Sequence, residues 1–178
     1  MSGHSKWAQI KHKKSATDAK KGQLFSKLAK MITIAAKELG TDPKINSKLS
    51  SAIEEAKTAN MPNDNIERAI KRATEKYASE LKEVTYEAYG PGGSAIIITA
   101  ITDSSNRTTN EIKHLLSEHG GKLENQGSAM WAFIKSPTGE YVPNFPVALS
   151  EDNNKKFESL LEALDNQDDV ENVFSNIE

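Results

Sequence analysis

VTYEAYGPGGSAIIITAIT, Val84 to Thr102, decides the fold of this chain. Val84, Tyr86 and Ala88 alternate with polar neighbours, which is the period of a half-buried strand. GPGGS, Gly90 to Ser94, is a turn. Ala95 to Thr102 is apolar and β-branched without alternation, which predicts a central strand. Upstream the period is that of helices. Leu24, Leu28, Met31, Ile32, Ala35 and Leu39 fall on one helical face, and Gly40 to Pro43 ends it. Leu49, Ile53, Ala56 and Ala59 mark a second helix. Pro62 and Asn63 open a third, with Ile66, Ala69, Ile70 and Ala73 inward. Three short helices between residues 16 and 77 predict a compact antiparallel bundle.

Downstream, residues 107–119 read as a helix with Ile112, Leu115 and Leu116 inward, ended by Gly120 and Gly121. Residues 130–135 read as a strand, 136–139 as a tight turn, and 141–149 as an edge strand because of Pro143 and Pro146. A helix over 151–166 and a strand over 169–175 close the chain. From Ala95 the order is strand, helix, strand, strand, helix, strand, the split βαβ order. The expected fold is α+β: an N-terminal three-helix domain, then a ferredoxin-like domain with one extra strand at Val84 to Tyr89. The expected division is 1–80, a basic arm plus three helices, and 81–178.

The chain has 178 residues, 37% of them hydrophobic, and a net charge of −2 that conceals an asymmetry. Through Lys76 there are 16 Lys+Arg against 8 Asp+Glu, and beyond it 7 against 17. A basic half beside an acidic half points to a nucleic-acid surface on one side. There is no cysteine, which excludes disulfides and thiol chemistry. No apolar run approaches the roughly 18 residues a membrane span needs. The basic N-terminus lacks the apolar stretch of a secretory signal, so a cytoplasmic protein without a membrane partner is expected.

The positive charge is densest in MSGHSKWAQIKHKK, residues 1–14. Lys6, Lys11, Lys13 and Lys14 stand there with His4, His12 and Trp7, and Lys20, Lys21, Lys27 and Lys30 follow. Up to Lys37 there are nine lysines and one acid, Asp18. Lysines neutralise phosphates, and flat rings stack on bases. Concentrated like charge works against folding, so these residues are the expected nucleic-acid contacts. A solvated arm without a ligand also fits the charge, and a buried Trp7 is compatible with either reading.

Other motifs carry less. GPGGS lacks the Lys and Ser/Thr of a phosphate loop and lies between strands. In SSNRTTNE, Ser104 to Glu111, Asn106 can cap a helix, but Arg107 opposes the helix dipole in the first turn. Arg107 is therefore a further candidate to hold a phosphate, unless it sits in an ordinary ion pair. Asn63, Asn65, Arg68 and Arg72 can share one helix, as contacts or as a solvent face. The four histidines have no metal-site spacing, and no nucleophile–base pair stands out. Neither an enzyme, a metal nor a cofactor is expected.

GHSKW (3–7), IKHKK (10–14), KKGQLFSKL (20–28), NMPNDNIERAI (60–70), YEAYGPGG (86–93), DSSNRT (103–108) and DNQDDVENVFSNIE (165–178) together resemble the YebC/PmpR family. The resemblance runs nearly end to end. It implies a three-helix domain plus two α+β domains, and roles in transcriptional control, in mitochondrial translation and on ribosomes slowed at proline-rich stretches. Family members are about a third longer. Here WAFIKS passes through PTGEY directly to the last helix and strand, so the family's third domain is missing near 136–140. The implied partner is nucleic acid, either DNA or ribosomal or transfer RNA, including the ribosome itself. An adaptor working through its acidic domain is the alternative from a different class. The sequence gives no oligomeric state. It shows no clear base-reading helix-turn-helix, which favours RNA over sequence-specific duplex DNA.

Overall fold

The computed structural model describes residues 3–14 and 17–178; the side chains at 3–5 and 12–14 fall outside that description. The fold is α+β with an antiparallel sheet. The chain begins with α1 (Gly3–Lys14), α2 (Asp18–Leu39), α3 (Ser47–Thr58) and α4 (Asn63–Lys71). A 3₁₀ turn at Arg72–Thr74 leads to the short α5 (Lys76–Glu80). Then come β1 (Lys82–Tyr89), β2 (Ala95–Thr102), α6 (Ser105–Glu118), β3 (Lys122–Glu124), β4 (Phe133–Lys135), β5 (Tyr141–Pro143), α7 (Glu151–Asp165) and β6 (Val170–Ser175).

The described residues form two compact units. One comprises α2 to Glu83 together with Ile101–Ser105; the other comprises α1, Val84–Ala100 and Asn106–Glu178. This departs from the expected division at about residue 80. The basic arm is a helix, and Trp7 and Ile10 place it in the core of the α+β unit. Charge is correspondingly not divided between the units as the sequence suggested. The helical unit, residues 15–83 and 101–105, holds 13 Lys+Arg against 11 Asp+Glu.

In the helical unit, Leu28, Ile32 and Ala35 of α2 meet Leu49, Ala52 and Ala56 of α3 and Ile66 and Ala69 of α4. Leu39, expected on the inward face, is 61% exposed in the last turn of α2. Asn46 stitches two helices together. Its Oδ1 accepts from the Leu49 N–H at 3.0 Å, capping α3, and its Nδ2 donates to the carbonyls of Ala35 (2.9 Å) and Gly40 (2.7 Å). The side chain is fully buried, so no water can replace it. Asn46→Ala is expected to cost about 2–4 kcal/mol, a lost cap plus a buried carbonyl left unpaired. Urea denaturation checks this; an unchanged midpoint would mean that the bonds are replaceable.

In the α+β unit the sheet order is β3-β1-β2-β6, and β4-β5 make a separate two-stranded sheet. The strands therefore differ from those expected. The added strand β1 is central. The edge place goes to β3, pairing Ala88 with Leu123, and residues 133–135 leave the main sheet. A three-residue strand after two glycines is too short to show a period of two. Ile96, Ile98 and Ala100 of β2 face α6 and α7, while Ala95 and Ile97 face Ala129, Ala132 and Phe133. Burial on both faces explains why AIIITAIT does not alternate. In the turn before β2, Gly92 has φ 70°, and a Cβ there would lie 2.7 Å from Leu149 Cδ2.

Glu87 on β1 holds the segment that covers this second face. Its buried carboxylate accepts the N–H groups of Gly127 (2.7 Å), Ala129 (2.8 Å) and Met130 (2.8 Å). Burial opposes its ionisation, but the three donors outweigh burial and hold the carboxyl below its ordinary value.

Candidate nucleic-acid interface

The expected contacts separate into three groups once placed on the fold. In α1, the side chains of His4, His12, Lys13 and Lys14 lie outside the described residues. Lys6 turns to the α+β unit, where it hydrogen-bonds Asn154 Oδ1 and lies 3.7 Å from Glu158. Trp7 is 1% exposed in the core, with Lys11 Nζ 6.0 Å from its ring centroid. The stacking role expected of Trp7 is therefore corrected: the large apolar ring is packed, and no face is open to a base.

Arg107 is the second group. Its Nη2 lies 2.9 Å from Asp169 Oδ2, which also accepts from Thr108 Oγ1 at 2.8 Å. Gln167 fastens the same corner. Its Oε1 accepts the N–H groups of Asp169 (2.7 Å) and Val170 (2.9 Å), and its Nε2 reaches Glu111 (2.7 Å). A carboxylate next to the first turn of α6 offsets the dipole cost of Arg107 without a phosphate. The ordinary ion pair is the observed one.

The third group, on α2, stays on or near the surface apart from one member. Lys21 is exposed, Lys20 lies 3.4 Å from Gln23 Oε1, and Lys30 is half-buried. Lys27 is 5% exposed, because its position falls on the face that α2 turns inward beside Leu28. It is not a surface contact.

Sequence reasoning left a cationic concavity unassigned. A groove of about 360 Å³ in the helical unit is lined by Phe25, Lys30, Asn65, Arg68, Arg72 and Tyr77 above smaller residues. Thr33, Met61 and Ala69, all buried, form its base. Thr33 donates its hydroxyl to the Ala69 carbonyl at 2.9 Å, pinning α2 to α4 beneath the groove. Asn65, Arg68 and Arg72 recur at spacings of three and four, so α4 and the following turn bring them to one side. Arg68 and Arg72 are exposed and enter no ion pair among the described residues. Three cations and no acid line the groove. The 3.6-residue spacing was visible in the sequence; the facing lysine and rings of α2 and α5 were not.

Two further features bear on chemistry. Ala59–Pro62 connects α3 to α4 in four residues, the turn length of a helix-turn-helix, with Asn60 at φ 60°. Among the described residues no cluster of three or more His, Cys, Asp or Glu could hold a metal ion. No helix among them is long and apolar enough to cross a membrane.

Comparison with known proteins gives these elements a family. The TACO1/YebC protein N-terminal domain matches residues 5–76, and the TACO1/YebC second and third domain matches residues 81–138 and 134–177. The two matched pieces of the latter meet at the β4–β5 hairpin. A "probable transcriptional regulatory protein" of Thermoanaerobacter pseudethanolicus is 40% identical over 239 aligned positions, covering 100% of this chain and 97% of that protein. One of the same description from Pseudothermotoga lettingae is 58% identical over 134 residues, 75% of this chain and 53% of its own length. The crystal structure of a conserved hypothetical protein from Aquifex aeolicus superposes with a TM-score of 0.82 at 31% identity, covering 90% of this chain and 91% of that one. With its helical and α+β parts both matched, and relatives of this identity named as regulators, the chain belongs to the TACO1/YebC family.

Proposed function

We propose that the chain regulates gene expression by binding nucleic acid through its helical unit, with Lys21 and Lys30 of α2, Arg68 of α4 and Arg72 just after it meeting the phosphate backbone. The observation that carries this reading is the acid-free groove with three cations on its lining. It fits relatives named as transcriptional regulators. Lysine and arginine serve RNA and DNA equally as phosphate contacts, and a small concave site suits a bent or unpaired strand better than a straight duplex. RNA, including that of the ribosome, therefore ranks ahead of duplex DNA, and a role on ribosomes slowed at proline-rich stretches falls within this reading. Co-sedimentation with ribosomes, run beside gel shifts on duplex DNA at physiological salt, tests it. Association with ribosomes in the first assay is expected; absence of both signals would refute nucleic-acid binding.

A protein-binding adaptor is the second reading, supported by exposed apolar residues of the α+β unit. Trp131 (56% exposed) and Phe145 (53%) meet with ring centroids 5.5 Å apart and planes tilted at 45°, and Ile134 pairs across the hairpin with Val142. An exposed set of this kind marks a contact surface more often than chance.

A further inference from the structure

We infer that the groove of the helical unit is a subsite for one unpaired nucleotide, with a base lying against Tyr77 and its phosphates held by Arg68, Arg72 and Lys30. This rests on the nucleic-acid reading above and adds the state of the strand.

Size is the first argument. About 360 Å³ is near the lower end of the roughly 300–1,000 Å³ of small-molecule sites. A groove of this volume takes one nucleotide and cannot admit a double helix. Composition is the second. Tyr77 is 38% exposed on a groove wall, where a phenol ring offers a flat apolar face. Half-buried Phe25 supplies another ring on the same lining. Every base has a π-face, so stacking of this kind accepts any sequence. Asn65, half-buried among them, offers both a donor and an acceptor to a base edge. The cations form the third argument. Arg68 and Arg72 are four residues apart, and a guanidinium fork grips phosphate oxygens in pairs. An acidic peptide would use the cations but leave the rings and the amide without a role.

The base of the groove is rigid enough to hold such a site. Thr33 and Ala69 are joined by a hydrogen bond, and Met61 beside them is 6% exposed. The ring on the wall, by contrast, can be removed without opening the core, because Tyr77 lies outside the buried cluster of the unit.

The test uses the full chain and fluorescence anisotropy with labelled oligouridine of about 12 nucleotides, its DNA counterpart, and an RNA duplex of the same length. Tyr77→Ala is expected to weaken binding of the single strands about 5- to 150-fold at fixed salt, with the salt slope unchanged. Tyr77→Phe should restore it. Arg68→Gln with Arg72→Gln should make the single-strand slope shallower by about 1.4. Equal binding of the RNA and DNA strands supports recognition of base and phosphate, and a preference for RNA supports the same site with the 2′-hydroxyl added. Thermal melting of each variant confirms the fold; if Tyr77→Ala melts early, Tyr77→Leu, which keeps apolar bulk without a ring, takes its place. Single-strand binding by the ring-less variant equal to wild type overturns the subsite while leaving the nucleic-acid reading intact. An equal loss on duplex, or competition by polyglutamate as strong as by oligouridine, also overturns it. Failure of the wild type to bind any of the three probes removes the underlying reading instead.

Discussion

Trp7→Ala is expected to destabilise the α+β unit by about 3–5 kcal/mol. Trp7 is 1% exposed and packs with Ile10 into the cluster built by β2, α6, α7 and β6. Truncation removes the largest fully buried side chain of the chain and leaves a cavity that helix α1 cannot close by itself. Among the described side chains, Trp7 and Ile10 are the ones that join this helix to that cluster, so its docking should fail with the ring. Against a typical total stability of about 5–15 kcal/mol the effect is large. Urea unfolding followed by the fluorescence of the remaining Trp131 measures it. Trp7→Phe should recover part of the loss. A midpoint unchanged in Trp7→Ala would show that α1 is not a core element, and the stacking role for Trp7 would return.

The second large effect concerns charge. Replacing Lys21, Arg68 and Arg72 together by glutamine is expected to lower affinity for single-stranded RNA about 100-fold near 0.1 M salt and to make the log–log salt slope shallower by about 2. All three side chains are exposed, so the fold should be unaffected. The matched control is Lys113, Lys155 and Lys156 to glutamine, which removes the same charge from exposed positions of the α+β unit. Equal losses in the two triple variants would reduce binding to net charge and remove the helical surface from the account.

The contrast between these two sites shows what could be read from sequence. Helix α2 was legible because Leu24, Leu28, Ile32 and Ala35 repeat with the helical period, and β2 because an unbroken β-branched run needs burial on both faces. Helix α1 was not, since GHSKWAQIKHKK offers a single i, i+3 pair of large apolar groups, Trp7 and Ile10, too few to establish a period. Its helix is held by docking onto residues more than a hundred positions away, which no local pattern records. The ion pair of Arg107 was not legible for the same reason, because its partner Asp169 is 62 residues distant. Lys27 carried a charge that suggested solvent, but helical geometry decided in favour of burial. At the groove the spacing of Asn65, Arg68 and Arg72 was visible. Which surface they faced depended on how α2, α4 and α5 pack, and that follows from the core beneath them.

Photo-crosslinking of the full chain to 4-thiouridine RNA at physiological salt, with the attached peptides identified by mass spectrometry, tests the location of the nucleic-acid surface most directly. Crosslinks are expected within residues 20–37 and 63–77, and strongest at the peptide bearing Tyr77. Crosslinks confined to residues 122–175, or none at all, would contradict a nucleic-acid surface on the helical unit.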